Sequence, residues 1–464
     1  MPQSQSQPNR LTEGPIIRSL LILAFPLILS NLLQTAYQLT DTFWLGRLGA
    51  DAVAAVSVSF PVIFLLASLG IGFTLAGTII VSHLKGSNSQ DEIDHASSQI
   101  LFIVCIVALV ISIIGYFITP VLINLLRTPS DVYRGAVAYL KISFIGFIFL
   151  FIYFTFQALL RGIGNVKTPL IIILGTVLLN LVLDPIFIFG YGPIPAFGVE
   201  GAAVTTLITQ GLAGAIGIFI LKSGRYGISL KMRSCKIDIP FLRTVLALAV
   251  PASIENSTIA VSLTAMIFLI TGFGTIPLAA YGIGARILNF VFFPALALSM
   301  ATSILVGQNI GAGKKDRAKR IARICAVFTF AALTLFGMIF FIFARGISTL
   351  FIPHNREVIT ASTVFIRILS LSFGFMGIHM VLRGAFRGAG NTKLAMIFTI
   401  IYLWGLRFPL AFILSRYTEL KISGIWWAFP ATNIITALCT IAVFAWGKWQ
   451  KERIITFIER YPDA

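Results

Sequence analysis

Twelve long apolar stretches constrain this 464-residue sequence more than any motif in it. They run near 17–45, 52–83, 96–126, 132–160, 168–190, 199–221, 241–272, 277–309, 321–350, 357–385, 393–415 and 423–447. Each reaches the roughly 20 residues that an α-helix needs to cross the hydrocarbon of a bilayer, and the longer ones leave room for tilt. Only 11% of the residues are charged and 57% are hydrophobic, against roughly 25% charged in an ordinary soluble domain. A charged, water-soluble shell cannot be built from that stock. Four scattered cysteines (Cys105, Cys235, Cys325, Cys439) do not make a disulfide scaffold. The expected fold is all-α: a polytopic membrane protein of 12 transmembrane helices.

The polar connection 222–240 divides the spans into two sets of six. The expected organisation is a polar N-tail (1–16), an N-lobe (17–221), a linker (222–240), a C-lobe (241–450) and a C-tail (451–464). The N-tail holds no apolar core, so no cleavable signal peptide is expected. The net charge of +18 sits in short blocks between apolar stretches. That is how membrane loops are charged, and not the aromatic-interleaved patch of a nucleic-acid binder. The tails and even-numbered loops outnumber the odd-numbered loops in Lys and Arg by roughly three to one, which puts both termini and the linker in the cytoplasm. A multi-pass protein of the cell membrane follows, expected as a monomer among lipids.

The two sets of six repeat at an offset of about 225 residues. Leu23-Ala24-Phe25-Pro26 matches Leu248-Ala249-Val250-Pro251, Asn31 matches Asn256, and Gly198 matches Gly424. Arg161-Gly162-Ile163-Gly164-Asn165-Val166-Lys167 shares five of seven residues with Arg387-Gly388-Ala389-Gly390-Asn391-Thr392-Lys393. An even number of spans per unit makes the repeats parallel, an arrangement in which a transporter's substrate site lies at the repeat interface. Pro26, Pro185, Pro251, Pro294, Pro409 and Pro430 fall inside spans, where each removes a hydrogen bond and favours a kink. Pro26 is the best hinge candidate, because an intramembrane acid follows it on the same helix.

Of the 17 acids, only Asp41, Asp184 and Glu255 lie inside apolar stretches. A charge at the bilayer centre costs roughly 2.5–3.5 kcal/mol on insertion scales, so such residues mark function. In the first span Asn31, Gln34, Gln38 and Asp41 share a helical face bordered by Tyr37; in the fifth, Thr176, Asn180 and Asp184 share another. Tyr139, Ser143, Tyr153 and Gln157 lie near one stripe of span four, and Thr206 and Gln210 on span six. Asp41 and Asp184 each lie a few residues before the outer end of their span. Two polar stripes with acids at one depth describe a wet cavity. An apolar surround and a second carboxylate both disfavour charging, so such a pair can hold a proton and release it when the cavity opens to the other side. Moving one charge across 100 mV is worth about 2.3 kcal/mol. Asp, Asn and Thr oxygens at Asp41, Asn180 and Asp184 could equally hold Na⁺, and the residues leave H⁺ and Na⁺ both open.

The second half is equipped differently. Met266 stands at the position equivalent to Asp41, while Glu255 and Arg286 form a candidate buried pair. Arg407 and His379 are also intramembrane, and the histidine is expected to be a hydrogen-bonded core residue. The four histidines (His83, His95, His354, His379) form no ligand-spaced cluster with cysteine, and neither HExxH nor CxxC occurs. No metal and no cofactor is expected beyond the coupling ion. The glycine-rich pieces lack the Gly-Lys-Ser/Thr of a phosphate loop, which argues against an ATP-driven pump.

The two sixes, the paired RGIGN and RGAGN loops, and the segments LAFPLILSNLLQTAYQLTDTFWLGRLG and NLVLDP resemble the multidrug and toxic compound extrusion (MATE) transporter family, in its prokaryotic DinF-like branch. The resemblance spans about Pro15 to Trp449. It implies two six-helix lobes in a V, exporting amphipathic, often cationic drugs in exchange for H⁺ or Na⁺. It further implies that Asp41 and Asp184 are the cation-coupling carboxylates, supported by Asn180, and that Pro26 is the bending point of the first helix. Two other readings remain. A flippase for lipid-linked precursors would line its cavity with basic residues, whereas this stripe is acidic and amide-rich. A membrane-embedded lipid enzyme would need an acid cluster, and Asp91-Glu92-x-Asp94 reads as a solvated helix start.

Overall fold

The computed structural model describes residues 10–230 and 238–450, so Cys235, the first nine residues and the 451–464 tail lie outside the described residues. After a single turn at Arg10–Glu13, the first six spans are α1 (Ile16–Leu48), α2 (Ala50–Gly86), α3 (Gln90–Leu125), α4 (Ser130–Gly162), α5 (Lys167–Phe189) and α6 (Val199–Lys222). There follow α7 (Ile239–Thr271), α8 (Thr275–Gly311), α9 (Lys315–Phe351), α10 (Arg356–Ser370), α11 (Phe373–Gly388), α12 (Thr392–Ile400), a π-helical turn (Ile401–Arg407), α13 (Phe408–Arg416) and α14 (Ile422–Ala445). Among the described residues there is no sheet, only an isolated bridge between Tyr191 and Ile194. Eleven helices are long and apolar enough to cross a membrane, or twelve when α10 and α11 count as one span.

Two spans depart from the simple helix expected of them. The stretch 357–385 is broken between α10 and α11, which bend by 50°. No proline causes this. The Ser370 hydroxyl donates to the Arg367 carbonyl at 2.8 Å and the Ser372 hydroxyl to the Leu369 carbonyl at 3.0 Å; such back-bonding competes with the helical ladder and bends it. The stretch 393–415 widens into the π turn just ahead of Pro409. The proline ring lacks an N–H and crowds the carbonyl four residues back, and a π bulge is one way for a helix to absorb that.

The repeated motif folds into the same corner twice. Gly164 and Gly390 take φ of 89° and 77°, a left-handed conformation open to glycine without a Cβ clash. The following asparagine closes the corner in both halves. Its N–H donates back to the Leu160 or Phe386 carbonyl, at 2.8 and 2.9 Å. Its side chain accepts from the Thr168 or Leu394 N–H, at 3.2 Å each. The motif is thus a helix stop and a helix cap in one.

The chain forms two compact units: an N-unit, Pro26–Asn256, and a C-unit, Met1–Phe25 with Ser257–Ala464. The division does not follow the 222–240 linker. It cuts α1 at Pro26 and α7 after Asn256. The reasons are local to each unit. In the N-unit, the Ser253 hydroxyl on α7 donates to the Leu69 carbonyl of α2 at 2.8 Å. In the C-unit, the start of the chain is tied down by Asn309, whose amide donates to the Leu11 carbonyl at 3.2 Å, and by the Lys314–Glu13 ion pair at 3.2 Å.

Candidate ion-coupling site

In the N-unit, α1, α5 and α6 bring their polar residues to one place. Asp184 on α5 is 0% exposed. Its Oδ1 accepts the Asn180 side-chain amide at 3.0 Å and the Thr205 hydroxyl of α6. Asp41 on α1 stands beside this cluster, close enough for the Asp184 carboxylate to act on it electrostatically. The Tyr37 hydroxyl shares a 2.6 Å hydrogen bond with Thr209, and the buried Tyr139 of α4 packs in one cluster with Leu45 and Ile188, each four residues past a carboxylate. What lets α6 approach α5 is Gly201: a Cβ there would lie 2.4 Å from the Phe187 carbonyl oxygen. Thr205 sits one turn beyond Gly201 and Asp184 just under a turn before Phe187, so this contact sets the Thr205–Asp184 bond.

Four oxygens in this cluster are buried without a hydrogen-bond partner: Asp41 Oδ1, Asp184 Oδ2, Asn180 Oδ1 and Thr206 Oγ1. Leaving such a group unsatisfied costs about 1–3 kcal/mol, more if it is charged. An array of acceptor oxygens around two carboxylates suits a proton shared between them or a small hard cation. Among the described residues no three His, Cys, Asp or Glu side chains converge as a metal cage. One turn past Asp41, a cavity of about 260 Å³ is lined by Thr42, Leu45, Val53, Val56, Ser57 and Phe60.

The other expected site residues divide into three groups. Tyr153 and Gln157 are buried toward the opposite end of α4, where Arg161 donates to the Gln157 side chain; they belong to the RGIGN corner and not to the carboxylates. The hydroxyls of Ser143 and Thr176 bond carbonyls of their own helices, at Tyr139 (2.8 Å) and Ile173 (3.0 Å). Gln34 and Gln38 are exposed, and Asn31 and Gln210 half-buried. The structure adds Thr205 and Thr209, each one residue before an expected position. Their own spacing of four was a stripe equal to that of Thr206 and Gln210, and only the rotation of α6 decides between them.

Glu255 is 2% exposed in the N-unit. Arg286 belongs to the C-unit, where its guanidinium lies over the Phe351 ring at 5.4 Å. His379 is buried as expected, but neither ring nitrogen has a hydrogen-bond partner among the described residues. It packs on Tyr402 instead, ring centroids 4.6 Å apart.

The family model described as MatE matches residues 26–186 and again 251–413, one copy in each half at the offset of the internal repeat. The chain is 30% identical over 459 residues to the probable multidrug resistance protein YoeA of Bacillus subtilis, covering 98% of each. It is 28% identical over 447 residues to the probable multidrug resistance protein NorM of Thermotoga maritima, covering 96% of each. Among solved structures, the Vibrio cholerae MATE transporter VcmN in its bent form matches with a TM-score of 0.86 at 22% identity, over 96% of this chain and 98% of that one. Twelve spans, a duplicated family match and end-to-end relatives agree: the chain belongs to the MatE family, and is a membrane transporter, not an enzyme.

Proposed function

We propose that this transporter exports amphipathic, often cationic drugs in antiport with H⁺ or Na⁺, coupled through Asp41 and Asp184. The observation that carries the reading is the pairing of these carboxylates across α1 and α5, with one oxygen of each and those of Asn180 and Thr206 buried and unsatisfied. An ion entering the cluster neutralises charge and fills those acceptors. A cationic drug competes for the same carboxylates, so that one occupant displaces the other. Two distant relatives carry the name multidrug resistance protein, which favours a drug as the counter-substrate. Tyr37, Tyr139 and the cavity lined by Leu45, Val53, Val56 and Phe60 supply apolar and aromatic surface for its body. Pro26, at the boundary between compact units, is the bending point of α1. The protein works as a monomer in the cell membrane with both termini cytoplasmic.

The test is drug transport by the purified protein in proteoliposomes under separately imposed pH and Na⁺ gradients. The gradient that drives uphill drug movement identifies the ion. Asp41→Asn and Asp184→Asn should each reduce driven transport to background while leaving expression and folding intact. Full transport by either variant removes that residue from the coupling.

A further inference from the structure

The spans of the C-unit carry buried positive charge and no acid. Between Ser257 and Ala445 the acids are Asp316, Glu357 and Glu419; the first two lie in the opening turns of α9 and α10, and the third in the connection before α14. Arg407, by contrast, ends the π turn inside a span. Its guanidinium donates to the Asn433 side-chain oxygen at 2.9 Å, to Thr432 at 3.3 Å, and to the Tyr402 hydroxyl. It lies over the rings of Tyr402 and Phe429, 4.2 and 4.5 Å from their centroids. Every one of these partners is neutral. Tyr402 in turn donates to Asn433 at 2.7 Å, and Asn433 donates to Ser372 at 2.9 Å, at the α10–α11 break.

Two further groups lie close by on α11. Arg383, 5% exposed, donates to Thr399 on α12. His379 lies one turn before it on α11, is 1% exposed, packs on Tyr402, and has both ring nitrogens without a partner. A partnerless imidazole fully out of water is costly, and a guanidinium in a span normally has a counter-charge or faces a polar cavity. Both deficits lie at one place, and one anion would relieve both. The packing beside it is aromatic: Trp426 packs on Phe365 at 4.1 Å and stacks on Tyr281 at 6.4 Å, and Phe365 meets Phe429 at 5.8 Å.

We infer that the C-unit holds a binding site for the carboxylate of an apolar or aromatic molecule, with Arg407 and His379 as its hydrogen-bond donors and the Phe365–Trp426–Phe429 cluster as its wall. The planar guanidinium fork matches a carboxylate better than a point charge does. The site shares no residue with Asp41 and Asp184, and its occupancy does not require the antiport cycle.

The test is equilibrium dialysis of radiolabelled benzoate against the purified full-length protein in detergent, at constant Na⁺ and ionic strength. Saturable binding near one benzoate per chain is expected, weakened about tenfold or more by Arg407→Gln and less by Arg407→Lys, which keeps the charge but loses the fork. His379→Phe should also weaken it. Asp41→Asn should bind benzoate as the parent does, so failure here and failure of the coupling reading are distinguishable. Absence of saturable binding, or binding unchanged in Arg407→Gln and Arg407→Lys alike, overturns the site. Displacement of benzoate by equimolar chloride overturns the carboxylate assignment in favour of a bare halide.

Discussion

Thr205 donates its hydroxyl to Oδ1 of Asp184, the oxygen that Asn180 already bonds, while Oδ2 is left without a partner. One half of the carboxylate is thus held by the protein and the other half is open to an ion. Thr205→Val keeps the shape of the side chain and removes the donor. Losing a hydrogen bond to a carboxylate costs about 1.5–3 kcal/mol, so gradient-driven drug transport should fall about tenfold or more, with Thr205→Ser close to the parent. Vesicle uptake of a fluorescent drug measures both; equal rates for Thr205→Val and the parent would make the hydroxyl a bystander.

Gly201 allows the helix contact that places that hydroxyl. A Cβ at this position would meet the Phe187 carbonyl oxygen at 2.4 Å, and backbone cannot swing aside as a side chain can. Gly201→Ala should cost about 1–3 kcal/mol through overpacking, lowering Tm by several degrees and slowing transport as well. Gly175→Ala on α5 is the control, because nothing lies within 4 Å of its added Cβ. There the helical backbone gains about 0.5–1 kcal/mol, and Tm should hold or rise.

Pro26 leaves the Ile22 carbonyl of α1 without its usual N–H, and the compact units divide at this residue. Pro26→Ala restores the donor and stiffens the helix. Removing an interior proline is worth up to about 3 kcal/mol to a helix, so Tm should be unchanged or higher while the transport rate falls several-fold. A variant that transports at the parental rate would make the proline a fixed kink.

The two RGxGN corners offer an internal comparison. Asn165 and Asn391 make the same cap at the same 3.2 Å distance, so Asn165→Ala and Asn391→Ala should each cost about 0.5–2 kcal/mol. Thermal unfolding should show similar drops for both, with little effect on drug selectivity. A large loss from only one would mean that the duplicated corner has taken on a second role in that half.

Much of this fold was legible before any coordinates. Apolar runs report membrane crossings directly, and the observed helices match the expected spans with most ends within a few residues. The polar faces that carry Asp41 and Asp184 were legible too, because a three-and-four spacing on a helix commits side chains to one face. What escaped was whatever depends on neighbours. The break before Ser372 carries no proline, and because serines such as Ser82 and Ser348 bond carbonyls of their own unbroken helices, Ser370 and Ser372 do not announce it. Thr205 and Thr206 are adjacent threonines whose roles differ by the rotation of α6, which Gly201 and its packing decide. Tyr153 and Gln157 share a stripe with Tyr139 in projection, yet helical rise carries them about 20 Å or more along α4 to Arg161. The compact units, finally, divide inside α1 at Pro26, where no shift in composition marks a boundary.

That last placement has a mechanical consequence. The boundary between the units falls inside α1 and α7, and each helix carries a proline near its crossing, Pro26 and Pro251, that leaves one backbone carbonyl without its usual N–H. A helix that lacks one rung of its hydrogen-bond ladder bends there at less cost than an intact one, so each crossing is a point at which its helix can yield while the segments on either side keep their own shape.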